Sequence, residues 1–375
     1  MELKEFFHMN DGDGKLSYSQ NSSVQKEAWL MNQYILENAI QSILSDEENL
    51  VEGLNIADLG CGVGPVPLAF VTLVIEIVRK KYKELKCNNE GPVPRIQIYM
   101  NDLPSNDFNL LFRDILNLEV FKRKEGGVPL FLLMGAPGSY YERLFPSNSL
   151  HFVHASYTLH WFSQPPKALN SEQGAVPINK GNVYISETSS EVVAKAYMTQ
   201  FEQDFTNFLN CRCQEVVSKG RMLLTFRGRP SLTNPLIWQP WELIIFTKAL
   251  TCLVSEGLIE EEKVDTFNFP YYCASKEELE SIVKKQGSFA IKNTKTMAHH
   301  VAHEIEDKWT RSKIISKFIR AFSESLILRH FGKGVLDLLY DKLAHYAFQH
   351  LNYGRSAEHY TVAISLIKKQ YICKF

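Results

Sequence analysis

The sequence predicts a mostly parallel, doubly wound α/β sheet with a helical cap. Three observations predict it. Short apolar strands alternate with amphipathic helical stretches; the first strand runs into a glycine cluster that opens a helix; and two long aromatic helical stretches interrupt the strand series. A chain of 375 residues makes one large domain with elaborations, or two. It is 45% hydrophobic and 22% charged, with 23 Phe and 16 Tyr, which supplies ample core and excludes a disordered chain. The formal net charge is -1, which argues against nucleic acid as a partner, because phosphate binding needs a basic footprint. The longest apolar runs, such as Leu68 to Val78, carry Thr72 and Glu76 and fall short of the roughly 20 residues of a membrane span. No basic-then-apolar leader pattern opens the sequence. Seven scattered cysteines, with Cys211 and Cys213 one residue apart, suit neither a zinc pair nor a redox pair. A reduced, cytoplasmic enzyme is expected.

The elements follow in order. Residues up to Gln25 are polar and Gly-rich, apart from Phe6 and Phe7. Residues 27–45 read as an amphipathic helix, with Trp29, Leu30, Tyr34, Ile35, Ala39, Ile40 and Ile43 near helical spacing. Leu54 to Leu59 is a strand, and Leu68 to Leu85 a helix. Arg95 to Met100 alternates and ends in the polar tip Asn101-Asp102. Phe131 to Met134, Leu150 to Ala155, Arg221 to Phe226 and Val362 to Ile367 are further strands. The stretches 236–262 and 305–351 are helical and aromatic, and are placed as a cap over the ligand edge of the sheet. This divides the chain into a core (1–230, 280–300 and 358–375) and a cap (231–279 and 301–357).

The segment Asp58-Leu-Gly60-Cys61-Gly62-Val-Gly64-Pro65 follows a strand and precedes a helix. Glycines let the backbone turn sharply and approach a ligand, and the helix start offers free N–H groups. A dinucleotide turn would place its third glycine at position 65, which is Pro. The form D-x-G-x-G-x-G suits S-adenosylmethionine (SAM) instead. Asp58 can sit beside the methionine ammonium, loop N–H groups can meet the carboxylate, and Asp102, ending the next strand, can accept from the ribose hydroxyls. A glycine turn without a ligand is the plain alternative, and Asp102 at the neighbouring tip counts against it.

These segments resemble one family almost end to end, the plant SABATH methyltransferases. Its members include salicylate, benzoate and jasmonate carboxyl methyltransferases and the caffeine-pathway N-methyltransferases. The resemblance rests on His8-Met-Asn10-Asp-Gly12-Asp-Gly14, Ser17-Tyr18-Ser-Gln-Asn21-Ser22, Gln25, Asp58 to Pro65 and Asn101-Asp102-Leu103. It continues through Asn106-Asp107-Phe108-Asn109, Pro137-Gly138-Ser139-Tyr140, Arg143-Leu-Phe-Pro146 and Ser156-Tyr157-Thr-Leu-His160-Trp161. Asn179-Lys180-Gly181, Glu256-Gly257-Leu258 and Asp265-Thr-Phe267-Asn268 complete it.

The resemblance implies an α/β, Rossmann-like class I methyltransferase sheet with helices on both faces and an α-helical cap. It implies that Tyr18, Asn21, Asp58, Gly60, Cys61, Gly62, Asp102, Leu103, Ser139 and Tyr140 hold SAM. Gln25 and Trp161 would orient a substrate carboxylate through amide and indole N–H groups, with Tyr157 and His160 lining the same pocket. Asn179, Asp265, Phe267 (by its carbonyl) and Asn268 match a structural magnesium position, and a homodimer is implied. Three positions depart from the family pattern. Val66 stands where the family has Asn, removing one polar cofactor contact. Asn10 replaces the Lys and His160 the Met of salicylate-type members, which points to a bulkier or different acid than salicylate.

The chemistry needs little from the protein. A carboxylate is ionised near neutral pH, since reference carboxyl pKa values are about 4. The remaining work is alignment and removal of water at roughly 3–3.5 Å between reacting atoms. Neutral donors such as Gln25 and Trp161 orient the carboxylate without quenching it. The expected reaction is therefore carboxyl O-methylation of a small acid of plant specialised metabolism: jasmonate-like, benzoate-like, or an alkaloid β-keto acid whose ring ammonium could meet aromatic side chains. The alternative is N-methylation of a xanthine alkaloid, in which His160 could relay a proton. One of Trp238 and Trp241, and one of Tyr271 and Tyr272, are further candidates for the pocket wall, with Tyr272 the preferred tyrosine. His299, His300 and His303 have helical spacing and are expected on a solvated helix face.

Overall fold

The computed structural model describes residues 3–45, 53–87, 95–122, 130–169, 177–230, 233–355 and 357–370. Seven strands form one sheet: β1 (Leu54–Leu59), β2 (Arg95–Asn101), β3 (Leu130–Gly135), β4 (Leu150–Ser156), β5 (Val216–Gly228), β6 (Phe289–His300) and β7 (Glu358–Lys368). Their order is β3-β2-β1-β4-β5-β7-β6. The first five run parallel, and β7 lies antiparallel to both β5 and β6. Because β1 sits between β2 and β4, the winding reverses there, and a crevice opens at the carboxyl ends of these strands.

Strand alternation separates two cores. Leu54 and Ile56 of β1 pack with Phe70, Val74 and Ile98 on one face; Ala57 and Leu59 pack with Val153, Phe201 and Phe205 on the other. The first face is covered by α2 (Ser23–Leu44), α3 (Pro65–Cys87) and α4 (Phe108–Leu116), with α2 lying along α3. A single turn, α1 (Tyr18–Asn21), precedes α2, and another, α5 (Glu119–Lys122), follows α4. The second face carries α6 (Glu191–Glu215) and α9 (Lys276–Gln286), which pack on each other. Helices α7 (Trp241–Ser255), α8 (Glu261–Asp265), α10 (Lys308–Phe331) and α11 (Leu336–Asn352) form a group in which α11 packs on both α7 and α10. The N-terminal segment is strapped to α10: Asn10 N donates to Ala321 O at 2.9 Å, and Ser325 Oγ donates to His8 O at 2.8 Å.

Helices α4, α6 and α9 and strand β6 are absent from the sequence reading, and two of them are instructive. Helix α6 is new, because its inward stripe mixes Val193, Tyr197, Phe201, Phe205 and Phe208 with buried Gln200, Asp204, Arg212 and Glu215, which dilutes the apolar period. His299 and His300 end strand β6, with His303 in the turn beyond, so the solvated helix face is not formed. A strand sends neighbours to opposite sides, and accordingly His299 is buried while His300 is exposed.

Candidate active site

The turn after β1 is built by glycine. Gly60, Gly62 and Gly64 have φ of +66°, +61° and +98°, values that cost other residues about 1 kcal/mol or more. Space matters too: a Cβ on Gly60 would overlap the Thr158 methyl, and one on Gly64 would lie 2.8 Å from Ser19 Cα. The turn is laced to β2 and its tip. Cys61 N donates to Asn101 O at 2.9 Å, Gly62 N to Asp102 Oδ2 at 2.7 Å, and Leu103 N to Asp102 Oδ1 at 2.7 Å. Burial pushes the Asp102 carboxyl up to about 6 against the pull of those two N–H donors, with the Asp58 charge adding to the rise.

Here a cleft opens, with about 870 Å³ of space counting the part open to solvent. Gly60, Cys61, Gly62, Asp102, Leu103 and Tyr140 line it, together with Tyr18, Gln25, Val66 and Asn106. Val66 offers no polar atom, but Asn106 brings an amide to the same wall and donates to Gly62 O at 3.3 Å. Ser139 lines an adjoining cavity instead. Asn21 lies outside: its amide donates to Ser17 O and Lys15 O, fastening α1. Asn10 spends its amide on Leu16 O and Glu324. Asp58 sits behind the turn rather than in the cleft wall. It is buried, its Oδ1 lies 2.7 Å from His154 Nδ1, and its Oδ2 has no hydrogen-bond partner.

A second cavity, about 390 Å³ counting space open to solvent, shares Met9, Tyr18, Gln25, Tyr157 and Trp161 with the cleft. Its remaining lining comprises His160, Arg227, Glu242, Tyr271, Phe318, Phe322 and His359. Gln25 is buried with its Oε1 unpartnered. The Trp161 indole is held by Phe7, at 4.6 Å between ring centroids, and by the edge of Tyr271 at 5.2 Å. Tyr157 takes φ of +57°, a strained turn that ends β4 and is fixed by its N–H to Thr225 O and its hydroxyl to Thr361 Oγ1. Arg227 N–H donates to His160 Nδ1 at 3.4 Å, which places the ring proton of the neutral imidazole on Nε2. Burial, reinforced by Arg227, depresses the His160 pKa to about 3, so the ring stays neutral.

Three candidate wall residues lie elsewhere. A β-bridge pairs Trp161 with Tyr271, so Tyr271 faces the cavity and its neighbour Tyr272 turns away to Arg229 and Glu278. Trp241 packs behind His359, and Trp238 covers the Arg227 guanidinium from outside at 5.6 Å. Sequence reasoning missed Arg227, Glu242 and His359. The available signal was Arg227 itself, a charge at the end of the apolar run Met222 to Phe226.

The residues matched to magnesium come together but bond to one another. Asn179 Nδ2 donates to Asn268 Oδ1 at 3.1 Å, Asn179 Oδ1 accepts from Ser189 Oγ at 2.7 Å, and Asp265 accepts from Gly181 N at 2.8 Å and faces the Lys180 ammonium. Phe267 packs its ring among Phe269, His330 and Phe331. These contacts engage Asn179 Oδ1, Asn268 Oδ1 and one Asp265 oxygen with protein donors, so the arrangement lends magnesium no support. Among the described residues, no group of three or more His, Cys, Asp or Glu side chains is placed to hold a metal. No described helix is long and apolar enough to cross a membrane.

The comparisons agree with this architecture. A model of the SAM-dependent carboxyl methyltransferases matches residues 4–369. A 3,7-dimethylxanthine N-methyltransferase of Camellia sinensis is 45% identical, over 92% of this chain and 91% of its own. A probable caffeine synthase from the same plant is 44% identical, over 92% and 93%. The solved structure of loganic acid methyltransferase with S-adenosylhomocysteine (SAH) superposes with a TM-score of 0.84 at 31% identity, covering 98% of this chain and all of that one. The chain belongs to the SABATH family of SAM-dependent carboxyl methyltransferases, and it is a SAM-dependent methyltransferase of Rossmann-like fold.

Proposed function

We propose that the enzyme makes the methyl ester of a small carboxylic acid of the jasmonate-like, benzoate-like or alkaloid β-keto-acid kind. The first cleft fits the cofactor: a half-buried acid in its lining for ribose hydroxyls, a glycine turn with free approach, and Tyr140 and Leu103 as largely apolar walls. When bound, SAM supplies a methyl group already activated on a positive sulfur. Tyr18, Gln25 and Trp161 line both spaces and so stand where cofactor and acceptor meet.

The observation that carries the reading is the hydrogen bond from Arg227 N to His160 Nδ1. It consumes the one lone pair of the neutral ring and leaves Nε2–H as a donor. His160 then joins the Gln25 amide and the Trp161 indole as neutral donors, a set suited to a carboxylate, which only accepts. Such donors orient the oxygen without a full positive charge that would lower its nucleophilicity. Buried aromatic walls keep water from it.

N-methylation of a xanthine is the second reading, favoured by the identity to the Camellia enzymes. There the acceptor nitrogen must shed a proton, and His160 has no lone pair free to take it. Methyl transfer from SAM to a panel of acids and xanthines separates the two, and activity confined to xanthines rejects the first. Within the first, Trp161→Phe keeps the ring and deletes the donor. Its kcat/KM on the best acid should fall about 10- to 100-fold; unchanged efficiency removes Trp161 from the carboxylate-holding role.

A further inference from the structure

We infer that the wall of the second cavity lying away from the cofactor cleft is a receptor for a neutral hydrogen-bonding group, so that the acceptor carries a hydroxyl, oxo or ring N–H at the end remote from the methylated atom. This rests on the reading that this cavity holds the methyl acceptor. The wall is formed by Arg227, Glu242, Tyr271 and His359, all buried, with Phe318 and Phe322 beside them.

The charges in this wall cancel internally. Arg227 Nε and Nη2 donate to the two Glu242 oxygens at 3.0 and 3.2 Å, and Nη1 donates to Gly228 O and Tyr360 O. Four of the five guanidinium N–H groups are engaged, which leaves one on Nη2 and no paired edge for a second, bidentate carboxylate. Glu242 is equally compensated and does not demand a ligand cation.

His359 is different. It is 2% exposed, lines the cavity, and neither of its ring nitrogens has a hydrogen-bond partner. Its Nε2 lies 3.7 Å from Glu242 Oε1, beyond hydrogen-bond range, and that oxygen also takes a long 3.4 Å bond from the Tyr271 hydroxyl. Burial beside Arg227 keeps the ring neutral, with one donor and one acceptor. A desolvated donor and acceptor left without partners is costly, and a ligand group that meets either one lowers the cost. The two ring nitrogens point apart, so one ligand group meets one of them: a hydroxyl can meet either the donor or the acceptor, an oxo group the donor, a ring N–H the acceptor. A hydrocarbon tail or bare phenyl edge meets neither, so the cavity discriminates against it.

The test uses the wild-type protein saturated with SAH and two matched sets of ligands: benzoate against 3- and 4-hydroxybenzoate, and cyclohexanecarboxylate against 4-oxocyclohexanecarboxylate. Titration calorimetry should show the better polar member of at least one set binding about tenfold tighter than its apolar counterpart. His359→Phe should erase that preference with SAH affinity unchanged, and His359→Gln should retain most of it. Equal or tighter binding of the apolar members, no binding of any member, or a preference that survives in folded His359→Phe overturns the inference. Methyl transfer to the same compounds, measured separately, tests the proposed function. Ester formation without a polar preference sinks only the receptor, and a polar preference without ester formation sinks only the esterification.

Discussion

Asp102 is an acid held in a place that penalises its charge. Burial lifts it to about 6, while the N–H groups of Gly62 and Leu103 stabilise the anion. Each oxygen keeps a lone pair for a ribose hydroxyl, and a hydroxyl donates better to a carboxylate than to a carboxylic acid. SAH affinity should therefore be full above pH 6 and fall as pH drops through it, by up to tenfold per pH unit. The unliganded fold responds in the opposite sense. A carboxyl whose folded pKa exceeds its unfolded value binds protons more readily when folded, so this group's contribution to stability is greatest below about pH 4 and is lost as pH rises through 6. Calorimetry of SAH binding between pH 5 and 8 checks the first point, and Asp102→Asn should weaken binding and flatten the profile. Asp102 was legible because it ends an alternating strand beside the glycine turn. The placement of Asp58 was not. It stands opposite His154 in the β1–β4 register, and that parallel pairing sends both side chains to the same face, away from the cleft.

At the scale of elements, the glycine turn is as much a seat for α1 as a ligand loop. α1 carries Tyr18, which lines both cavities, and Ser19 rests directly on Gly64. A methyl on Gly64 would meet backbone at 2.8 Å, whereas one on Gly62 would meet only the Tyr18 ring at an ordinary 3.5 Å. Both positions share the cost of positive φ. Gly64→Ala should thus lose about 2–3 kcal/mol, against about 1 kcal/mol for Gly62→Ala. Thermal unfolding without cofactor compares them, and equal losses would mean that α1 yields freely. Most strands and the helices flanking the turn were legible from apolar runs and periodicity. The short helices α4 and α9 were not, nor were β6 and α6, which bury polar residues where pattern reading expects apolar ones: His299 in one, and Gln200, Asp204, Arg212 and Glu215 in the other.

At the scale of the molecule, that same polar stripe ties helix α6 to the loop that lines the cofactor cleft. Arg212 is fully buried at the end of α6. Its Nε donates to Glu215 Oε2 at 2.7 Å, its Nη1 to Tyr140 O at 2.7 Å, and its Nη2 to Glu142 O at 2.8 Å. Glu215 Oε1 in turn accepts from Leu144 N and Phe145 N. One buried ion pair therefore clasps the loop 140–145, and with it Tyr140, whose hydroxyl donates to Thr158 O across the cleft. No short-range pattern could reveal this clasp, because its partners lie some 70 residues apart in the chain. A charge left alone in such a site costs about 3–5 kcal/mol. Arg212→Ala should destabilise the fold by that amount and, where it still folds, raise the KM for SAM more than it lowers kcat. Replacing both partners, as Arg212→Met with Glu215→Gln, should recover stability by removing the stranded carboxylate. It should leave the KM for SAM raised, because the bonds to Tyr140 O and Glu142 O stay broken. Recovery of both together would show that the pair serves folding alone and that the loop holds Tyr140 in place without it.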